Sequence, residues 1–216
     1  MPTLNTKDNQ SISAFRAGQG NGRGLVLLQE IFGVNAHIRE TAERFASEGF
    51  DVVAPALFDR VEKNVELDYS PESVQRGLAL RAQIPLEHTL LDIEAAIETL
   101  KDKPTFIIGY CWGGTLSWHA ACKLAGLAGA SCWYPGGIGQ AKDLSCAIPV
   151  QVHFGETDTS IPLTEVEAFR QAQPDVSVHV YEGAGHGFGC DQRGSFNQQA
   201  YELARDRTLA FFASLT

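Results

Sequence analysis

Six short apolar runs recur along the chain: LVLLQ (25–29), DVVAP (51–55), TFIIG (105–109), AGASCWY (128–134), VQVHFG (150–155) and VSVHVYE (176–182). Between them lie stretches whose apolar residues fall at helical spacing. Ile38, Ala42, Phe45 and Ala46 do so in NAHIRETAERFASEGF, and Leu90, Ile93, Ile97 and Leu100 do so before TFIIG. Apolar runs without polar alternation suit strands buried on both faces, and parallel strands need helical crossovers to join them. The alternation therefore predicts an α/β fold, a doubly wound, mostly parallel sheet flanked by helices on both faces. SISAFRAGQGNGRG adds an edge strand and a glycine-rich turn, and residues 57–70 read as irregular. Pro85 divides two helices, PESVQRGLALRAQ and PLEHTLLDIEAAIETLK, while GGTLSWHAACKLAG, PLTEVEAFRQAQP and residues 196–212 supply the others. No repeat or linker divides the 216 residues, so 1–216 is read as a single domain.

In such sheets ligands gather outside the carboxyl ends of the strands. Four predicted strand ends carry polar residues that the fold does not require: Glu30, Cys111, Asp158 and His186. Cys111 lies in Gly109-Tyr110-Cys111-Trp112-Gly113, the form of a strand–turn–helix elbow with cysteine as the exposed nucleophile. Glycines at the flanks let strand and helix approach closely, and the helix N-terminus favours the thiolate. The order nucleophile, acid, histidine, with gaps of 47 and 28 residues, matches the order of elbow hydrolases. Asp158 would hold the His186 tautomer, and the backbone N–H groups of Ile31 and Trp112 would receive an oxyanion. Each residue alone has a plainer reading: a core cysteine, a turn aspartate, a loop histidine. Their placement at successive strand ends favours the catalytic one.

The net charge of −9 argues against a nucleic-acid partner, which needs clustered Lys and Arg. The five cysteines (111, 122, 132, 146, 190) show no CxxC pair and no Cys/His zinc pattern, so no metal or cofactor is expected. No leader-like segment opens the chain and no apolar run approaches the roughly 20 residues that span a bilayer. The reading is a cytoplasmic protein with free thiols and no membrane partner. His37, His88, His119, His153 and His179 fall within helix or strand patterns and read as structural.

QEIFGVNAHIRET, GYCWGG, HFGETDTSIP and GAGHGF together resemble the dienelactone hydrolase (carboxymethylenebutenolidase) family of the α/β-hydrolase superfamily, over nearly the whole chain. The resemblance implies a cysteine triad that opens an enol-lactone through a thioester, in the breakdown of chlorinated aromatics. It makes Cys111 the nucleophile, His186 the base and Asp158 its orienter. Glu30 matches the family's glutamate, which hydrogen-bonds the resting thiol and swings to deprotonate it when substrate binds. Two arginines would bind the substrate carboxylate. One lies in the helix before the nucleophile strand, at Arg76 or else Arg81; being five apart, they cannot share one helix face. The other follows the histidine by four positions, where this chain has Cys190, leaving Arg193 of the same loop to reach in. Phe32 and Tyr134 complete the expected substrate-binding set.

The expected function is thus a cysteine-dependent hydrolase of a small enol-lactone or ester, expected to be anionic. One alternative is a broad carboxylesterase or thioesterase on the same triad. Another is a non-catalytic, thiol-sensing ligand-binding protein. A thiol scavenger of peroxide is a third, and it would need no Asp158. The oligomeric state stays open.

Overall fold

A strand with no polar side is covered on both faces, and the apolar runs accordingly become the centre of the sheet. The computed structural model describes residues 2–215. Its strands are β1 (Thr3–Asn5), β2 (Ser11–Ala17), β3 (Arg23–Leu28), β4 (Phe50–Pro55), β5 (Thr105–Tyr110), β6 (Gly129–Trp133), β7 (Val150–Gly155) and β8 (Ser177–Tyr181). They form an eight-stranded sheet in the order β1-β2-β4-β3-β5-β6-β7-β8. β4, β3, β5, β6, β7 and β8 run parallel, and β2 and β1 add an antiparallel edge. Every residue of β4, β5, β6 and β7 is buried, while β8 at the far edge leaves Val180 exposed.

The crossovers are α1 (Ala36–Ser47), α2 (Pro71–Arg81), α3 (Leu86–Glu98), α4 (Trp112–Lys123), α5 (Leu163–Ala172) and α6 (Gln198–Ser214). Asn35, Ser70 and Asn197 cap α1, α2 and α6 with side-chain oxygens that accept backbone N–H bonds. Successive residues of β7 locate the two helical layers, because strand side chains alternate. His153 bonds Thr208 of α6, while Phe154 packs on Phe169 of α5. Helices thus cover both faces, as the alternation predicts.

Three features were not expected. β1 is a three-residue strand in which only Leu4 is buried. The segment read as irregular contains a 3-10 turn at Leu57–Arg60, which anchors an ion-pair network. Arg60 of that turn reaches the buried Asp92 of α3 at 2.7 Å and Asp8, from the β1–β2 turn, at 2.7 Å. The free-thiol reading is corrected at two positions. Cys122, at the end of α4, and Cys146, in the segment that returns to β7, form a disulfide; Cys111, Cys132 and Cys190 remain free. The two are 24 residues apart, so only the return of the chain over α4 brings them together. No described helix is long and apolar enough to cross a membrane.

Candidate active site

Cys111 sits where β5 turns into α4, with φ 55° and ψ −114°. A non-glycine residue held there costs on the order of 1–3 kcal/mol and persists only when its surroundings enforce it. The Cys111 N–H donates to the Trp133 carbonyl at 3.0 Å, and the Cys111 carbonyl accepts from the Thr115 N–H at 3.2 Å. Two glycines lock the junction. A Cβ on Gly109 would lie 2.1 Å from the Gly113 carbonyl oxygen, and one on Gly113 would lie 2.5 Å from that of Gln29. Side chains at these positions would push α4 off the sheet and move the sulfur.

Asp158 and His186 stand on the loops after β7 and β8, and those loops are joined. The Thr157 N–H donates to the Ala184 carbonyl at 2.9 Å. His186 Nδ1–H donates to Asp158 Oδ2 at 2.7 Å, and Asp158 Oδ1 accepts from the Ser160 N–H at 2.8 Å. The Asp158 side chain is fully buried, so this bond sets the imidazole tautomer and leaves the other ring nitrogen for Cys111. Burial pulls the His186 pKa down, but Asp158 and the Cys111 sulfur together outweigh it and hold it at about 10. The ring keeps its proton through neutral pH.

A cleft of about 410 Å³ opens over this constellation, and Ile31, Phe32, Cys111, His186, Arg81 and Arg193 are among its lining residues. Trp112 also lines it. The amides of Ile31 and Trp112 have no acceptor among the described residues, which leaves both free to donate to a ligand oxygen. A second cavity of about 390 Å³ adjoins the first and shares Arg81, Trp112, Gly136 and Gly137 with it.

The arginines divide by helical phase. Gly77 of α2 faces the site closely, since a Cβ there would lie 2.0 Å from the Ile31 carbonyl oxygen. Arg81, four residues on, shares that face and lines the cleft. Arg76 does not: it turns outward to pair with Glu62 and is half exposed. Arg193 enters from the loop beyond His186, its guanidinium 5.8 Å from the Phe32 ring centre and 5.7 Å from that of Tyr69.

Two further residues are placed differently from expectation. Glu30 is buried at the end of β3, but it does not bond the thiol. Its Oε1 accepts from Arg193 Nη1 at 3.2 Å and its Oε2 has no partner among the described residues. The carboxylate is turned to the arginine because that cation neutralises it in a site without water contact. Tyr134 is fully buried behind the imidazole, with ring centres 5.3 Å apart, and does not line the cleft.

Sequence reasoning missed Tyr69, Val74, Leu78 and His37. Val74 and Leu78 form the α2 wall of the cleft. Tyr69, from the segment read as irregular, accepts from Asn35 Nδ2 at 3.2 Å, and Cys190 is buried near it. Burial pushes the Cys190 thiol up to about 12. His37 packs beside Glu30, with burial lowering its pKa so that the ring stays neutral. No local pattern marks these residues, because non-local packing assembles them. As chemistry, a sulfur at a helix N-terminus, a carboxylate-held imidazole and two free amides suit attack on a carbonyl carbon.

The profile of the dienelactone hydrolase family matches residues 12–216. A candidate carboxymethylenebutenolidase of Synechocystis is 35% identical over 196 residues, covering 82% of this chain and 79% of that protein. Carboxymethylenebutenolidase 1 of Cupriavidus pinatubonensis is 34% identical over 203 residues, covering 88% of this chain and 86% of its own. A crystal structure of a candidate dienelactone hydrolase from Klebsiella pneumoniae superposes with a TM-score of 0.84 at 26% identity, over 98% of this chain and 96% of that one.

Proposed function

The chain belongs to the dienelactone hydrolase family, and from that premise we propose that it opens a small, carboxylate-bearing enol-lactone or ester through a Cys111 thioester. The observation that carries this reading is the line Asp158–His186–Cys111 at the strand–helix elbow, with the 2.7 Å bond that sets the imidazole tautomer.

His186 holds the proton that leaves the thiol, so sulfur enters as thiolate beside an imidazolium. It attacks the carbonyl carbon while the carbonyl oxygen takes the N–H groups of Ile31 and Trp112. The carbon–oxygen bond of the ester breaks, and His186 gives its proton to the departing oxygen. Water then attacks the thioester, neutral His186 accepts the water proton, and the thiolate leaves. The ion pair is restored, and the carboxylic acid released ionises by giving its proton to solvent.

Arg81, from α2, and Arg193, from the loop beyond His186, both line the cleft and suit a substrate carboxylate. Arg193 stands three positions beyond Cys190 and replaces the arginine that the family resemblance places there. A carboxylate that takes Arg193 releases Glu30 Oε1, and the freed Glu30 becomes a second base within the site. The adjoining cavity favours a second reading, a broader esterase, because it offers room beyond what a small lactone needs.

Hydrolysis of cis- and trans-dienelactone and of a neutral aryl acetate, by wild type and Cys111→Ala, tests both. Dienelactone opening that falls at least about a thousandfold in the variant is expected. Cysteine-dependent cleavage of the acetate alone favours the broader esterase. Equal rates in the two proteins would remove Cys111 as nucleophile.

A further inference from the structure

Behind the cleft, three buried side chains of different chemistry converge. Glu30 comes from the end of β3, His37 from the first turn of α1, and Cys190 from the loop beyond His186. One ligand atom from each lies within 4.8 Å of the other two. All three residues are at most 1% exposed. Glu30 Oε2 and Nε2 of His37 have no hydrogen-bond partner among the described residues. Buried polar atoms are normally paired, so unpaired atoms from two residues around one spot point to a missing ligand.

The donor set names its class. Carboxylate oxygen, imidazole nitrogen and thiolate sulfur together suit Zn²⁺, whereas Mg²⁺ and Ca²⁺ take oxygen ligands. Bonds of roughly 2.0–2.3 Å set tetrahedral ligand atoms roughly 3.5 Å apart, so the three close in by about 1 Å. That movement requires rotation of the Glu30 and Cys190 side chains. A support for the histidine is in place: Asp191 Oδ1 lies 3.5 Å from His37 Nδ1 and is anchored by Arg44 at 2.6 Å from its other oxygen. A carboxylate behind a histidine leaves Nε2 to the metal and fixes the ring. Arg193 is the opposing charge, and it holds the other Glu30 oxygen on the cleft side. The residues span 160 positions, which is why no spacing pattern announces them.

We propose that Glu30, His37 and Cys190 form a buried site for one Zn²⁺ ion, with water as the fourth ligand. Binding exchanges the Cys190 thiol proton, released to solvent, for a zinc–sulfur bond. Because Glu30 also faces Arg193, a filled site withdraws that carboxylate from the cleft and slows hydrolysis. This effect on turnover rests on the function proposed above; the binding does not.

Co²⁺ titration of the reduced Cys111→Ala protein tests the site, since that background removes the catalytic thiol. One Co²⁺ per chain with a thiolate-to-cobalt charge-transfer band, displaced by Zn²⁺, is expected. Adding Cys190→Ser should abolish the band, and adding His37→Phe should weaken binding at least about tenfold, with melting curves confirming folded protein. Zinc anomalous scattering from Cys111→Ala crystals should place the ion on these three residues, and does not depend on the Cys190→Ser or His37→Phe proteins folding. No band in folded Cys111→Ala protein, a band that survives Cys190→Ser, or zinc located elsewhere would overturn the site. Zn²⁺ should slow ester hydrolysis by wild type but not by Cys190→Ser. A normal band with undiminished hydrolysis would remove Glu30 from catalysis and leave the metal site standing.

Discussion

Arg60 and Arg193 each meet a carboxylate that the fold has taken out of water. At Asp92 the match is complete: Arg60 Nε reaches both oxygens at 2.9 Å and Nη2 reaches one at 2.7 Å. The rest of that guanidinium is taken by Asp8 at 2.7 and 3.1 Å. At Glu30, Arg193 offers one nitrogen at 3.2 Å and the second oxygen is left over. Burial pushes the Asp92 pKa up to about 6 even with Arg60 beside it, so the closed network still bears a desolvation penalty. It ties the β1–β2 turn to α3, alongside the more exposed Lys7–Glu94 pair at 2.6 Å. The contrast separates a pair that joins elements from a pair that keeps bonding capacity in reserve. Only the second lies on the cleft.

Arg60→Ala should produce the largest change. It strands Asp92 without its partner and should cost about 3–5 kcal/mol in urea unfolding, or a fall of about 10 °C in Tm. Activity per folded molecule should hold. Arg193→Met should act chiefly on binding, raising KM for a carboxylate-bearing lactone about 10- to 100-fold while a neutral ester changes little; it also strips Glu30 of its one bond, so Tm should fall, but by less than in Arg60→Ala, which removes three bonds from Asp92. If Arg193→Met instead destabilises as much as Arg60→Ala, the two pairs are alike and the contrast fails.

A smaller effect belongs to His186. Its folded pKa, about 10, lies above the ordinary 6.5. Below pH 6.5 the ring is protonated in folded and unfolded chains, and its stabilisation is fully present. As pH rises towards 10 that stabilisation drains away. The gap in unfolding free energy between wild type and His186→Gln should therefore narrow from pH 6.5 to pH 9.5. Least of all, Arg76→Ala should shift stability by no more than about 0.5 kcal/mol and leave KM unchanged, because its pair with Glu62 is exposed.

The parallel strands were legible because burial on both faces removes alternation, and their bounds fall within a residue or two of the apolar runs. β1 was not, since three residues with a single buried leucine carry no period. At the site, Cys111, Asp158 and His186 were legible because strand ends and the glycine-flanked elbow obey local rules. The choice between Arg76 and Arg81 depended on helix phase, which Gly77 reveals only once the Ile31 carbonyl is seen against it. Tyr69, His37 and the Cys122–Cys146 pairing come from segments distant in the chain. No window along the sequence contains the partners that define them.

The elbow has one more consequence. The contacts that hold residue 111 in its left-handed turn run through its own backbone, the Trp133 carbonyl and the two flanking glycines; none passes through sulfur. The scaffold prescribes an address and is indifferent to the atom delivered there. For a lineage of enzymes this uncouples reagent from architecture: oxygen can replace sulfur, or sulfur oxygen, without rebuilding the molecule around it.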